Sequence, residues 1–173
     1  MHHYSLEIFN TDFRWVCLLW ENDTLARLTF YHDTATDAKA IVETEIEQSV
    51  RLQKNTTPLA LSLTKYAAGE QISFCDIPIC AARTSFQRKV LARCQLIPYG
   101  CTMTYGDIAK QVGHPGAARA VGGVMRANNC PLVVPCHRVL GSNGKLTGFS
   151  AGTGLDLKQR LLQMEGINQE FVF

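Results

Sequence analysis

Residues 104–129 read TYGDIAKQVGHPGAARAVGGVMRANN, and they organise the second half of the chain. Thr104 is a candidate helix N-cap because Asp107 stands three residues later, at the capping-box position. Gly113 predicts the end of this helix, and Pro115 suits the first position of a second helix. Two short helices around a glycine-containing turn indicate a helix-turn-helix, although an ordinary helical hairpin is the commoner object.

The second of these helices is bare, in the sense that most of its side chains are small (Ala or Gly). Gly122 and Gly123 each cost about 1 kcal/mol relative to alanine inside a helix, so some contact should offset them. Arg119 is a long, charged side chain among small ones. Such a helix can approach a narrow DNA groove while the arginine enters the base stack. The alternative is close packing against another helix of the same protein.

The rest of the chain predicts an α+β protein. SLEIF, RWVCLLW and LARLTFY are rich in β-forming residues and are separated by Asn and Asp turns, which favours a small antiparallel sheet. TDAKAIVETEIEQSVRLQ predicts an amphipathic helix over residues 36–53. Ser85 is the expected cap of a helix through SFQRKVLARCQLI, and DLKQRLLQME predicts a last helix that stops at Gly166. Residues 55–83 carry no clear pattern, and CDIPICAAR resembles a connector.

Composition indicates a globular chain outside membranes. Of the 173 residues, 46% are hydrophobic and 18% are charged, which is enough for one domain or two small ones. The sequence contains no apolar run of membrane-spanning length, and its beginning does not resemble a signal peptide. Seven cysteines, an odd number without a CxxC pair, favour free thiols in a reducing cytosol. Scattered Cys and His residues in the first third leave a structural metal as the alternative.

The small net charge of +2 conceals an asymmetry. Residues 1–82 contain 6 Lys and Arg against 11 Asp and Glu, whereas residues 83–173 contain 11 against 4. A basic half joined to an acidic half suggests that the basic half meets a polyanion, although chance surface charge has the same appearance.

Residues 131–140, PLVVPCHRVL, place a thiol beside an imidazole and a guanidinium. A catalytic cysteine needs a base or a cation because the thiolate is the nucleophile. In an extended segment Cys136 and His137 would point to opposite faces, so their cooperation requires a bridging water or a sharp turn. Arg138 either adds positive potential or anchors the segment. Glu165 opposes the dipole at its helix end; a buried histidine partner would explain this position, and an ordinary solvated helix end is the alternative.

The loop between these elements, GSNGKLTGFSAGTG, is rich in glycine, serine and threonine. We expect it to be mobile and to line a pocket with backbone donors. It matches neither of the common phosphate-binding glycine patterns.

With these residues the chain resembles the O6-alkylguanine-DNA alkyltransferases, which are single-use DNA repair proteins. The resemblance is close over residues 85–166, where PCHRV and AARAVGGVMRANN are specific and TGFSAG is similar to the bacterial branch. It implies two domains. Residues 1–83 would form a small α/β domain with a three-stranded antiparallel sheet, ribonuclease H-like. Residues 84–173 would form a helical, winged-helix-like domain with the helix-turn-helix and the alkyl acceptor.

The resemblance also implies the reaction and its residues. The family acts on double-stranded DNA and flips the damaged guanine, since its O6 atom is otherwise buried in the duplex. Cys136 would accept the alkyl group irreversibly, from O6-alkylguanine and less well from O4-alkylthymine. His137 would deprotonate it through a water, and Glu165 would orient that histidine. Asn128 matches a hinge asparagine, and Tyr105 would contact a phosphate and help the leaving base accept a proton.

The remaining implied residues fall into two sets. The DNA-binding set also contains Ala117, Ala118, Arg119, Gly122 and Arg126, with Arg119 filling the gap left by the flipped nucleotide. The pocket set has Pro131, Met125 and Phe149 as walls and the backbone of Val139 and Ser150 as readers of guanine. The resemblance implies a cytoplasmic monomer without a cofactor. The structural zinc of some members is not carried over to this chain, because its ligands find no match in the sequence.

Two departures concern the pocket. The family usually has tyrosine where Phe149 stands, and the loop from Ser150 to Lys158 is about two residues longer than usual. Two other functions are possible for such a chain. Related lesion-binding proteins that cannot repair DNA carry tryptophan in place of the cysteine, whereas Cys136 is present here. A Cys-His hydrolase would need an oxyanion hole and repeated turnover, and it would not require the bare helix or the basic half.

Overall fold

The computed structural model describes residues 3–43, 50–53, 56–80, 84–168 and 171. These residues form two compact units. The first contains residues up to Ile72 together with Asp76–Cys80, and the second contains Ser73–Cys75 and the chain from residue 81 onward. Residues 73–75 therefore belong with the second unit. The predicted boundary between residues 83 and 84 borders the segment 81–83, which lies outside the described residues, and the division into 1–83 and 84–173 stays a prediction.

The first unit is a sheet with two helices. Strands β1 (Tyr4–Thr11), β2 (Arg14–Glu21) and β3 (Thr24–His32) are antiparallel and are joined by two tight turns. Asn22 adopts a φ of 53° in the second turn, a conformation that asparagine tolerates better than most residues. Helix α1 is Ala35–Glu43 and helix α2 is Pro58–Ala67. The three predicted strands are confirmed.

Alternation along β1 places the two helices on opposite faces of this sheet. Leu6 packs in a core cluster with Ala38 and Val42 of α1. The next residue, Glu7, accepts hydrogen bonds from the main-chain nitrogen and the hydroxyl of Thr57, at 2.8 and 2.6 Å. Thr57 is the N-cap of α2, so a buried carboxylate of the sheet holds the start of that helix.

Two expectations for the first unit are wrong in detail. The sheet has four strands in the order β3-β2-β1-β4, because β4 (Arg51–Leu52) pairs with β1 in parallel. The predicted helix over residues 36–53 ends at Glu43, its part over 44–49 lies outside the described residues, and 51–52 are strand. The apolar pattern there was compatible with both structures, and pairing with Ser5 and Leu6 selects the strand. Helix α2 falls in the segment without a clear pattern.

The second unit is mostly helical. It contains α3 (Ser85–Gln95), β5 (Met103–Thr104), α4 (Tyr105–Gln111), α5 (Ala118–Arg126), β6 (Val139–Leu140) and α6 (Leu155–Met164). Helices α4 and α5 pack together, and α3 packs against both. The short strands β5 and β6 pair in parallel, which brings the start of α4 beside the segment that follows Cys136.

The helix boundaries confirm some of the predicted caps and correct others. Thr104 and Asp107 form the predicted capping box, and Gly113 follows the end of α4 with a φ of 84°. Thr84, not Ser85, caps α3, and its capping box is completed by Gln87. Helix α5 begins at Ala118 rather than at Pro115, and its cap residue Ala117 makes no side-chain cap hydrogen bond.

None of the described helices is long and apolar enough to cross a membrane.

Candidate active site

The segment that carries the thiol is a turn rather than an extended strand. Cys136 begins a single turn of 3-10 helix, Cys136–Arg138, which Pro135 enters with a φ of −76°. The main-chain nitrogen of Val139 donates to the carbonyl of Cys136 and closes the turn. Residues 131–135, directly before the thiol, are not a strand either, since they contain only an isolated bridge between Pro131 and Val134. The sharp turn, one of two possibilities for joining thiol and imidazole, is therefore present.

The side chains that follow the thiol converge on Glu165. His137 Nε2 lies 2.9 Å from Oε1 of Glu165. Arg138 donates from Nε to Oε2 at 2.9 Å and from Nη2 to Oε1 at 2.8 Å, and its Nη1 donates to the carbonyl of Ile97 at 2.6 Å. The main-chain nitrogen of Gly100 donates to Oε2 as well. The side chains of His137, Arg138 and Glu165 are all buried. The end of α6 is therefore not a solvated helix end at Glu165.

Glu165 occupies the C-cap of α6, and Gly166 follows it with a φ of 82°. Burial by itself would raise the pKa of Glu165, but the hydrogen bonds from His137 and Arg138 outweigh burial and hold that pKa well below its usual range. The carboxylate is therefore ionised at neutral pH. Burial lowers the pKa of His137, and the hydrogen bond to Glu165 offsets this only in part.

Asn128 joins the end of α5 to the thiol segment. Its Nδ2 donates to the carbonyl of Val134 at 2.9 Å, and its Oδ1 accepts from the main-chain nitrogen of Cys130 at 3.0 Å. Burial raises the pKa of the Cys136 thiol, while a hydrogen bond from Asn128 and the charge of Lys158 lower it. The amide thus fixes the loop and also favours the thiolate.

Lys158 is a member of this site that the sequence analysis did not identify. Its ammonium donates to the carbonyls of Val139 and Thr147, at 2.6 and 2.8 Å. The residue is fully buried among Leu157, Leu161 and Leu162 of α6. A lysine on the apolar face of the DLKQRLLQ pattern was the available signal, because unpaired charges are rarely buried without a reason. Burial lowers the pKa of Lys158 to about 8.

Tyr105 begins α4 and faces a cavity of about 650 Å³. Its hydroxyl donates to the carbonyl of Thr147 at 3.1 Å, and burial raises its pKa, so the phenol stays protonated at neutral pH. The structure gives a reason for a glycine at position 148 of the loop. Its φ is 58°, and a Cβ there would lie 3.1 Å from the Tyr105 hydroxyl oxygen. Thr147 and Gly148 were not singled out in the sequence.

The structure brings most of the predicted DNA-binding set together on this cavity. Its lining consists of residues at the start of α4, on α5 and in the loops after β6: Thr104, Tyr105, Gly106, Ala118, Arg119, Gly122, Gly123, Arg126, Ser142, Thr147 and Gly148. Arg119 and Arg126 are exposed, as a contact to a polyanion requires. A Cβ on Gly122 would lie 4.0 Å from the Tyr105 ring, so the small residues permit close packing as well as close approach. Ala117 is half-buried at the cap of α5 and does not line the cavity.

The five predicted pocket residues lie elsewhere around the site. Pro131, Met125 and Val139 are buried, Phe149 is half-buried and Ser150 is exposed, and none of these five described residues lines the cavity. The carbonyl of Val139 accepts a hydrogen bond from the ammonium of Lys158. The roles of these residues stay predictions.

Among the described residues, no group of three or more His, Cys, Asp or Glu side chains is arranged to hold a metal ion. The cysteines of the chain are all free thiols: Cys17, Cys75, Cys80, Cys94, Cys101, Cys130 and Cys136.

Fold and site together define a class of protein: a helical unit in which α4 and α5 pack together and a buried cysteine begins a turn whose next two side chains bind a buried glutamate. Residues 85–167 match the family model of the 6-O-methylguanine DNA methyltransferase DNA-binding domain. The chain is 39% identical over 149 residues to a constitutive methylated-DNA–protein-cysteine methyltransferase of Bacillus subtilis. The aligned residues are 86% of this chain and 87% of that protein. The chain belongs to the methylated-DNA–protein-cysteine methyltransferase family.

Two further relatives extend this comparison. A methylated-DNA–protein-cysteine methyltransferase of Methanosarcina acetivorans is 50% identical over 104 residues, which cover 60% of this chain. That match spans 65% of the Methanosarcina protein, less than two thirds of its length. A structure of Mycobacterium tuberculosis OGT in complex with DNA shares 32% identity and a TM-score of 0.74, over 94% of this chain and 93% of that chain.

Proposed function

We propose that the protein repairs DNA by direct reversal. It transfers the alkyl group from O6-alkylguanine in duplex DNA, and less efficiently from O4-alkylthymine, to Cys136. The observation that carries the proposal is the turn Cys136–Arg138, whose second and third side chains both bind Glu165. Tyr105, which interacts electrostatically with Cys136, lines a cavity together with residues of α5. The family assignment supports the same reaction.

The transfer is a single displacement. The Cys136 sulfur forms a bond to the alkyl carbon, and the bond between that carbon and the guanine O6 breaks. The thiol proton passes to His137 through a water, and Glu165, whose carboxylate accepts a hydrogen bond from the imidazole, orients that ring. The departing guanine takes a proton with the help of the Tyr105 phenol. Because the product is a thioether, which water does not cleave, each protein molecule reacts once.

The DNA side of the proposal rests on the cavity and the charge. The target base must leave the stack because O6 is otherwise buried in the duplex. Arg119 projects from the bare helix α5 and fills the gap that the base leaves, while Ala117, Ala118, Gly122 and Arg126 lie against the backbone. Around the flipped base, Pro131, Met125 and Phe149 form walls, and the main chain of Val139 and Ser150 recognises guanine. No metal or cofactor takes part in this scheme.

The finer description of the fold belongs to the same proposal. The first unit corresponds to a ribonuclease H-like layout, and the second corresponds to a winged helix. The two units correspond to domains 1–83 and 84–173. The protein acts as a monomer in a reducing cytosol, where its seven free thiols persist.

The test is a stoichiometric assay. The protein is mixed with duplex DNA containing O6-methylguanine, and its peptides are examined by mass spectrometry. We expect one methyl group per protein molecule, on Cys136. The Cys136→Ala variant should take up none, whereas Cys101→Ala, which removes an exposed thiol, should react normally. Repeated turnover would identify a hydrolase instead, and binding without transfer would identify a lesion-recognition protein.

A second assay addresses the DNA contacts. Binding should weaken as salt rises, because each phosphate contact releases counterions. Arg119→Ala should weaken binding and slow transfer, whereas Lys65→Ala, an exposed lysine of the first unit, should leave both unchanged. Binding that does not respond to salt would contradict the proposed interface.

A further inference from the structure

We propose that Arg138 sets the charge of His137: by binding Glu165 through two hydrogen bonds, it keeps the imidazole neutral, with its proton on Nε2. Arg138 is then a positioning residue that acts through Glu165. The inference deepens the proposed function. It rests on that function in one respect, because a neutral His137 is useful only if the imidazole takes the thiol proton. It also decides between the two roles that the sequence left open for this arginine.

The pair between Arg138 and Glu165 balances the charge of the carboxylate. The guanidinium meets Glu165 through Nε at 2.9 Å and Nη2 at 2.8 Å, and the side chains are 6% and 0% exposed. This two-bond geometry is the one in which arginine binds carboxylates most specifically. Because the pair is neutral as a whole, Glu165 does not require a second cation.

The hydrogen bond between His137 and Glu165 then fixes the position of the proton. An ionised carboxylate only accepts hydrogen bonds, so Nε2 of His137 carries the hydrogen directed at Oε1. In a neutral ring, Nδ1 is consequently the nitrogen with the lone pair. A second proton there would give the group of three side chains a net positive charge, and His137 has no surface exposed to bulk solvent that would stabilise that charge.

Of the other ionisable groups near the site, Lys158 also disfavours the imidazolium, and the remaining ones carry no charge when protonated. Lys158 of α6 is a cation, and the thiols of Cys136 and Cys94 and the phenol of Tyr99 are neutral when protonated. Burial lowers the pKa of His137, and the charges of Arg138 and Lys158 lower it further, against the opposing effect of Glu165.

Removal of Arg138 should reverse the balance. In an Arg138→Met variant, the buried charge of Glu165 has His137 as its closest remaining partner, and an imidazolium–carboxylate pair is neutral. His137 therefore binds a second proton at a higher pH. A ring that is already doubly protonated cannot take the thiol proton, so the acidic limb of the reaction profile should move to higher pH.

The direct test is the ¹⁵N NMR spectrum of His137, assigned by its loss in His137→Gln. In the wild type we expect a neutral ring with the proton on Nε2 at pH 7. Arg138→Met should shift the titration of His137 to higher pH, Arg138→Lys should restore it, and Arg88→Met, at an exposed arginine of α3, should not change it. A doubly protonated His137 in the wild type at pH 7 would overturn the proposal, even if Arg138→Met does not fold.

The kinetic test separates this inference from the proposed function. The reaction of Cys136 with iodoacetamide, without DNA, is followed by peptide mass spectrometry. Arg138→Met should react more slowly than the wild type on the acidic side of the profile and recover at higher pH, with a tenfold loss for each pKa unit by which His137 shifts upward. An equal loss at every pH would assign Arg138 a merely structural role. Failure to transfer alkyl groups from DNA, with this pH shift intact, would instead refute only the proposed function.

Discussion

The ammonium of Lys158 lies 2.6 Å from the carbonyl oxygen of Val139, the residue whose main-chain nitrogen closes the turn at Cys136. A cation of α6 thus holds the segment that carries the nucleophile, from within a fully buried position. Hydrogen bonds of charged donors are strong, but a buried ammonium also loses its hydration. The balance between these two effects depends on pH.

Lys158→Met should therefore change stability in a pH-dependent way. Burial lowers the pKa of Lys158 from 10.5 to about 8. Between these values the unfolded chain binds a proton that the folded chain has released, so the lysine contributes increasing stability as pH rises. In urea unfolding, the wild type should gain free energy of unfolding relative to Lys158→Met from pH 8 to pH 10. Lys89→Met, at an exposed lysine, should show a constant difference, and a constant difference for Lys158→Met would contradict the prediction.

The hydrogen bonds of Glu165 with His137 and Arg138 predict that the free energy of unfolding falls in acid. The pKa of Glu165 is held well below its unfolded value of about 4.3, so the stability from its ionised form is present above that pH and is lost as pH falls through the folded pKa. The lowered pKa of His137 adds to the loss below about pH 6.5. Urea unfolding from pH 7 to pH 3 should show this decline, with a shallower slope in Glu165→Gln.

Gly148→Ala tests the contact between the loop and Tyr105. The variant has to accommodate both a left-handed backbone and a Cβ placed 3.1 Å from the Tyr105 hydroxyl oxygen. Gly113→Ala is the matched control, because Gly113 also has a positive φ but no atom within 4 Å of the added Cβ. Each variant should lose about 1–2 kcal/mol from backbone strain. Only Gly148→Ala should also slow alkyl transfer; equal transfer rates in the two variants would show that the Tyr105 contact is unimportant.

Thr84→Ala tests the start of α3. The hydroxyl of Thr84 accepts from the nitrogen of Gln87, and the Gln87 side chain accepts from the nitrogen of Thr84. Loss of such a cap costs about 0.5–2 kcal/mol. Ser85→Ala, one residue later, should cost little because Ser85 is the first helical residue. Thermal unfolding of the two variants compares them directly, and an equal loss would place the cap at Ser85.

Local signals predicted the elements that are specified by nearby residues. Thr104 and Asp107 are three residues apart, so the cap of α4 could be read directly, and the β-rich runs gave the three long strands. Strand β4 could not be found in this way, because Arg51 and Leu52 are strand only through pairing with β1, some 45 residues earlier. The start of α5 was misplaced because a proline suits both a first helical position and the turn before it.

The residues of the site divide in the same way, into those that the local sequence reveals and those whose contacts depend on packing between distant segments. Cys136 and His137 stand out by their types, and Glu165 by its unfavourable place at a helix end. The two bonds from Arg138 to Glu165 depend on how α6 packs behind the turn, over a separation of 27 residues. Lys158 left a trace in the sequence as a charge on an apolar helix face, but its carbonyl partners did not, since main-chain acceptors carry no residue signature.

The carbonyl of Thr147 receives hydrogen bonds from both Tyr105 and Lys158. A carbonyl oxygen has two lone pairs, so this acceptor is saturated before any ligand arrives. The phenolic proton of Tyr105 is used in the hydrogen bond to this same carbonyl. A base that takes a hydrogen bond from Tyr105 must exchange it for the bond to Thr147, and an exchange of equals contributes little affinity. In the proposed reaction, the tyrosine is therefore better suited to stabilise the leaving base, as its charge develops, than to hold the base when it first binds.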